Sequence, residues 1–172
     1  MDLLTLAKQR YSSRVYSEEK INGDVLTYIL EAGRVAPTAK NIQPYKVLVI
    51  QDDENLEKLS ESARIYGAPL ALVVCKDTDN SWLRPIDGKE HGDIDATIVT
   101  DHMMLAATDK GLNSVWICFF DSEKIKESFN FPPNLEPVNI LVVGHSPDEP
   151  KSPDRHKETR KSLEDTIVFE SF

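Results

Sequence analysis

Pro37 and Pro44 bracket Thr38-Ala39-Lys40-Asn41-Ile42-Gln43, and they constrain how the chain enters and leaves this stretch. Each proline disfavours helical geometry in the residue before it, Ala36 and Gln43, so the backbone is stiffened at both ends of the stretch. Val25, Leu26, Ile29, Leu30 and Gly33 run into the stretch at helical spacing, and the unbroken apolar run Val47-Leu48-Val49-Ile50 leaves it. The pattern predicts a helix, a stiff turn and a buried strand over 46–51. Between the prolines, Thr38 offers a hydroxyl and Asn41 and Gln43 offer planar carboxamides with both donors and an acceptor. Such a set can grip the polar edge of a flat heterocycle. It can equally serve as a connector facing water, because Pro, Asn and Thr populate turns of every kind.

The rest of the chain alternates helical and strand-like segments. Helices are expected over 2–9, from Asp24 as a cap, over 53–62 with Leu56 and Leu59 inward, from residue 92 or 93 to a C-cap at Gly111, and over 121–129. On the longest of these, Ile94, Ile98, Leu105 and Ala106 form the expected inner side, widened by Met103, Met104 and Ala107. His102 in that helix reads as structural. Further strands are expected over 70–75, 114–119 and 138–143. The polar loop 77–91 carries Trp82 and Leu83, which either anchor it on the body or wall a pocket.

At 172 residues the chain is long enough for one domain with a real core. Its formal net charge of −9 argues against broad nucleic-acid binding, which needs a basic face. No apolar run reaches membrane-spanning length and the N-terminus lacks a signal-peptide core, so a cytoplasmic protein is expected. Cys75 and Cys118 each end an apolar run and read as buried thiols of a reducing compartment. No metal-ligand spacing, no G-x-G-x-x-G, no P-loop and no G-x-S-x-G elbow occurs. A flat ligand bearing a phosphate would have to be held by side chains.

Arg10-Tyr11-Ser12-Ser13-Arg14 supplies such side chains. Two guanidinium forks four residues apart, with a hydroxyl midway, can converge on one oxyanion. With 29 acidic residues in the chain, both arginines could instead pair with local carboxylates. Beyond Ser146 the sequence becomes polar and rich in proline, concentrates positive charge over 156–161, and ends on Leu163, Ile167, Val168, Phe169 and Phe172. An apolar end after such an excursion must be buried somewhere. The prolines favour an extended arm, and residues 146–172 are expected to lie on a second copy of the chain.

Taken together, these pieces resemble the nitroreductase family of FMN-dependent oxidoreductases along nearly the whole chain. Arg10, Ser12 and Arg14 match its R-x-S-x-R element. Pro37, Thr38, Asn41, Gln43, Pro44 and Tyr45 match its P-S-x-x-N-x-Q-P-W element, with Thr for Ser and Tyr for Trp. Leu105-Ala106-Ala107 and Gly111-Leu112 match its long helix, Trp116, Ile117 and Phe119 its W-I-G-x-F strand with Cys118 in place of glycine, and Arg160-Lys161 its basic tail. The resemblance implies an α+β fold in one domain, with a mixed central sheet of four to five strands flanked by helices. It implies that Arg10, Ser12, Arg14 and Arg160 or Lys161 hold the FMN phosphate and ribityl chain. Thr38 and Asn41 would meet the flavin ring from the partner subunit, with Pro37, Ala39 and Gln43 also in the cofactor site, and Val115, Trp116 and Ile117 would pass beside it.

The expected protein is a homodimer with flavins at its interface. It would move hydride from NADH or NADPH through the flavin to a small acceptor such as a nitroaromatic or a quinone, in ping-pong order, with no catalytic side chain assigned. The competing readings are a flavin- or nucleotide-binding module without turnover and a structural dimer without a ligand. The chain is shorter than the longer members of the family, which roof their substrate pocket with extra helical material, and here the Trp82 loop stands in that place.

Overall fold

In a computed structural model describing residues 2–172, strand β2 (Leu70–Asp77) is buried along its first six residues. The reason is a sheet covered on both faces. Leu70, Leu72 and Val74 point into one core and Ala71, Val73 and Cys75 into the other, following the two-residue period of a strand. β2 pairs antiparallel with β1 (Tyr45–Ile50) on one side and β4 (Leu135–Gly144) on the other, and β3 (Asn113–Ile117) completes the order β1-β2-β4-β3. All these pairings are antiparallel; a parallel bridge joins Ser12 to Ser114 at the outer edge of β3. The β2–β4 register shifts opposite Val74 and Cys75, next to Pro137, which has no N–H to give the ladder.

Helices α2 (Gly23–Arg34) and α4 (Gly92–Asp109) pack on one face of the sheet. Helices α3 (Asp53–Ser60) and α5 (Ser122–Ser128) flank the core on the other. The α2–α4 crossing is close: a Cβ on Gly33 would lie 2.8 Å from the Met103 side chain. The expected segments stand, with boundary corrections. Asn22 caps α2, its side chain accepting from the Asp24 N–H, so Asp24 lies inside the first turn. β3 stops at Ile117, leaving Cys118 and Phe119 exposed, so Cys118 is not a buried thiol.

The inner face of α4 also differs from expectation. Asp95, Ala96, Val99, Thr100, Met103, Ala106 and Ala107 are buried, whereas Ile94 is exposed and Ile98 and Leu105 are half-buried. The helix is apolar on more than one side, so periodicity alone does not select the face. Small side chains turn inward because the helix sits close to α2 and the sheet. No helix among the described residues is long and apolar enough to cross a membrane.

α1 (Leu3–Gln9) is capped by Asp2 and packs on α4. The C-terminal segment makes a 3-10 turn over Pro153–Arg155 and a short helix α6 (His156–Thr159) that docks against α1. Residues 160–172 are exposed throughout, Phe169 at 83%.

Candidate functional site

The R-x-S-x-R segment is stitched to one corner of the sheet. Ser13 N–H donates to Ser114 O at 3.0 Å, Ser17 N–H to His145 O at 2.8 Å, and the Ser13 and Ser146 hydroxyls meet at 2.9 Å. This fixes where Arg10 stands. Arg10, Tyr11, Ser12, Arg155, His156, Thr159 and Arg160 line a cavity of about 300 Å³. Arg155 holds the wall together. Its guanidinium donates to Lys8 O at 2.9 Å, Ser152 O at 2.8 Å and Arg10 O at 2.5 Å, capping the C-terminal carbonyls of α1. His156 Nε2 lies 3.2 Å from Lys8 O, and against a carbonyl it is the donor.

Among the described residues, no carboxylate lines this cavity. Burial, then the nearby Arg155 and Arg160 guanidiniums, push Arg10 below the usual arginine range, with Asp101 acting weakly the other way. Three guanidiniums thus crowd together in a chain of net charge −9, an arrangement whose chemistry suits an anion. The fit to a phosphate is therefore good: fork donors and hydroxyls converge, and an anion would relieve the repulsion on Arg10.

The expected residues divide around this cavity. Arg10, Ser12 and Arg160 line it. Arg14 is exposed and stands beside Tyr16, and Lys161 is exposed outside the lining. Val115 and Ile117 commit their side chains to the core, so on β3 only half-buried Trp116 and the strand's outer backbone edge remain available. Arg155, His156 and Thr159 were not anticipated. Their spacing with Arg160 (155, 156, 159, 160) is that of one helical face, and Lys157 turns away to pair with Asp154 at 2.8 Å.

The amide-bearing stretch lies at another corner. After Thr38 the chain makes a 3-10 turn over Ala39–Asn41, and Lys40, Asn41 and Gln43 all have positive φ (52°, 56° and 57°). Backbone of this kind costs about 1–2 kcal/mol per residue and clusters at functional sites. It is held by Gln43 N–H to Thr38 Oγ1 at 3.0 Å, Gln43 Nε2 to Asn41 O at 3.0 Å, and Ala39 N–H to the Asp95 carboxylate at 2.8 Å. The Asn41 side chain stays exposed. Pro44 O accepts from Asp77 N–H, tying the stretch to the end of β2.

Thr38 and Asn41 thus sit where β1 begins, opposite Lys76, whereas Ser12 sits beside Ser114, which pairs with Val143 and so with Leu70. These are opposite edges and opposite ends of the sheet, about 14 Å apart across the strands and roughly 20 Å along them. Trp82 packs on His91 with ring centroids 4.8 Å apart, and Lys40 Nζ lies 6.0 Å from the Trp82 ring. Trp82 therefore anchors its loop beside the amide-bearing stretch, while Leu83 is exposed.

Residues 7–65 and 57–145 match the Nitroreductase family. The chain belongs to the nitroreductase family. As such it is an oxidoreductase. Its structure superimposes on that of a nitroreductase family protein from Clostridium difficile 630 with a TM-score of 0.97 and 49% identity, covering 100% of both chains. Two archaeal relatives, from Archaeoglobus fulgidus and Methanothermobacter thermautotrophicus, carry the name "Putative NADH dehydrogenase/NAD(P)H nitroreductase". The first is 30% identical over 86% of this chain and 87% of its own, the second 30% identical over 95% and 87%. The nitroreductase match ends at residue 145, just before the segment that supplies Arg155, His156 and Arg160 to the cavity.

Proposed function

We propose that this protein is an FMN-dependent oxidoreductase that takes hydride from NADH or NADPH and delivers it to a small acceptor such as a nitroaromatic or a quinone. The observation that carries the reading is the cavity of Arg10, Arg155, His156 and Arg160 with no carboxylate among the described residues that line it. FMN, when bound, supplies the acceptance and release of hydride. The chain supplies binding and orientation. Arg10 and Arg160 would fork onto the phosphate, with Ser12 and Thr159 adding hydroxyl donors. Arg14, with Thr38, Asn41 and Gln43, would meet the rest of the flavin. No side chain is assigned as acid or base. Ping-pong order follows if donor and acceptor use one face in turn, and the archaeal relatives' names support a nicotinamide donor.

The two corners of the sheet are too far apart to serve one flavin from one chain, which supports a homodimer with the site at its interface. Unpartnered apolar side chains support it as well: Leu3 and Leu4 on α1, Ile94 on α4, and Leu163, Ile167, Val168, Phe169 and Phe172 in the tail. In this reading the exchanged arm is 161–172, since the preceding turn and helix dock on their own chain and Arg160 lines that chain's cavity. The protein would act in the cytoplasm.

The test is to titrate purified protein with FMN and then mix the complex anaerobically with NADH or NADPH. Stoichiometric binding followed by bleaching of the flavin's visible absorbance is the expected result. A protein that takes up no FMN would end the reading. Uptake without bleaching by either nucleotide would leave a flavin-binding module without turnover.

A further inference from the structure

Asp95 is 2% exposed, in the first turn of α4, and its carboxylate has one hydrogen bond from the chain. Oδ1 accepts the Ala39 N–H at 2.8 Å; Oδ2 is buried without a partner. A buried carboxylate satisfied on one oxygen is a cost to folding, because its desolvation exceeds what a single hydrogen bond returns. Replacing it by an apolar side chain removes that cost, and the Ala39 N–H left behind, on a half-buried residue, can turn to water. Residues that burden stability in this way are expected where function needs them.

What Asp95 touches shows the need. Ala39 opens the 3-10 turn that leads into Lys40 and Asn41, the first two of three positive-φ residues. The other side-chain hydrogen bonds of the stretch, from Gln43 to Thr38 and Asn41, are internal to it. Among the described residues, Asp95 is the side chain outside the stretch that a hydrogen bond ties to it. Its own place is fixed, since α4 begins at a cluster in which Lys76 joins Asp93 at 3.0 Å and Glu90 at 3.2 Å. The charge itself is not needed for this contact; an acceptor is.

We infer that Asp95 is a positioning residue for the flavin-facing turn, holding the strained backbone of Lys40, Asn41 and Gln43, and with it extended Thr38, through the Ala39 amide and giving up fold stability to do so. The inference rests on the flavin reading above for its consequence, and on the turn itself for its structural content.

The experiment compares Asp95→Leu and Asp95→Asn with the parent protein by three readouts: thermal midpoint without FMN, FMN affinity, and amide hydrogen exchange over residues 38–43. Asp95→Leu fills the volume without an acceptor. It is expected to leave the midpoint unchanged or raise it, to weaken FMN by at least tenfold, and to speed exchange of the turn. Asp95→Asn keeps an acceptor for Ala39 and should hold FMN affinity within about threefold of the parent.

An Asp95→Leu protein that unfolds, or melts lower in step with its loss of FMN, shows a structural residue only and overturns the inference. Unchanged exchange in 38–43 also overturns it, as does an Asp95→Asn variant that loses FMN as badly as Asp95→Leu. If the parent binds no FMN, the flavin reading fails, and the exchange and midpoint data still decide whether Asp95 holds the turn.

Discussion

The Arg155 guanidinium donates to the main-chain carbonyl of Arg10 at 2.5 Å, across 145 residues of sequence. With its further bonds to Lys8 and Ser152, it fastens the start of the C-terminal segment to the end of α1, and so sets Arg160 opposite Arg10. Arg155→Ala removes all three bonds. Net values of charge-assisted hydrogen bonds run to about 1.5–3 kcal/mol each, less at a half-exposed site. FMN affinity is expected to fall about tenfold, with faster amide exchange over residues 153–159. Arg155→Lys should restore little, because an ammonium cannot reproduce a planar fork spread over three carbonyls. Full rescue by lysine would mean that charge, not geometry, matters here.

The phosphate assignment has a sharper test than loss of binding. FMN and riboflavin differ by the phosphate, so a residue that holds the phosphate changes the ratio of their affinities. Arg10→Ala and Arg160→Ala should each reduce that ratio by about tenfold, near the lower end of what a charge-assisted contact contributes. Arg14→Ala, outside the cavity, should weaken both ligands alike and leave the ratio within about twofold. Parallel titrations of the three variants with both flavins check this. An unchanged ratio in Arg10→Ala would move the phosphate elsewhere.

Much of this was readable beforehand, and the exceptions share a cause. The four strands were legible because unbroken apolar runs of four to six residues have few other uses in a short chain, and β2 shows why: both its faces are covered. Arg10, Ser12 and Arg160 were legible because guanidinium and hydroxyl groups declare their chemistry by type. Arg155 was not, because its partners are backbone carbonyls, which every residue has. Asp95 was not, because an acid in the first turn of a helix reads as a favourable charge at the helix dipole. Nothing in its neighbours says that it is buried or that its partner lies 56 positions earlier. Ile94 misled for the opposite reason, being apolar yet exposed in the single chain.

The cluster around Lys76 gives a prediction in pH. Lys76 is 15% exposed and lies within 3.4 Å of carboxylate oxygens of Glu90, Asp93 and Glu136. Burial opposes its charge, but hydrogen bonds and charges from Asp93 and Glu90 outweigh it and hold its pKa above the ordinary lysine range. Burial likewise opposes the Glu90 charge, and hydrogen bonds from Ser81, the Gly92 amide and Lys76 hold that carboxyl below the ordinary glutamate range.

A raised lysine contributes stability fully below its unfolded value of about 10.4 and loses it as pH rises through the folded value. A depressed glutamate contributes above about 4.3 and loses it as pH falls through its folded value. The cluster is therefore at full strength between about pH 5 and 10. Lys76→Met should cost about 1–2 kcal/mol at pH 7 and distinctly less at pH 3.5, where the stranded carboxylates take up protons. Urea denaturation at both pH values checks it, and an equal loss at both would rule out the electrostatic account.

The two cysteines should separate cleanly. Burial pushes the Cys75 thiol up to about 12, so almost none of it is thiolate at neutral pH, whereas Cys118 stands exposed just past the end of β3. Alkylation depends on thiolate and access together. Iodoacetamide at pH 8 should modify Cys118 alone in the folded protein and both cysteines in denaturant, as peptide mass mapping would show. Labelling of Cys75 before unfolding would mean that the core around β2 opens more readily than its packing implies.

The tail decides whether one chain or two make the protein. Past Thr159 the chain carries Leu163, Ile167, Val168, Phe169 and Phe172, all exposed on their own subunit. Burying a large apolar side chain is worth about 1.5–3 kcal/mol, so a handful of them on a second copy is enough to hold a dimer at micromolar concentration after the cost of association. Ending the chain after Thr159 removes these side chains together with Arg160, while leaving Arg155 and His156 docked on α1. That truncation should shift the protein towards monomer in light scattering and abolish stable FMN retention. Phe169→Asp with Phe172→Asp keeps Arg160 and should weaken the dimer without removing a phosphate ligand. If FMN affinity in this double variant falls in parallel with dimer content, and recovers at higher protein concentration, the flavin is shared between subunits. If the double variant is monomeric and still binds FMN as tightly as the parent, a single chain suffices and the exchange of arms is wrong.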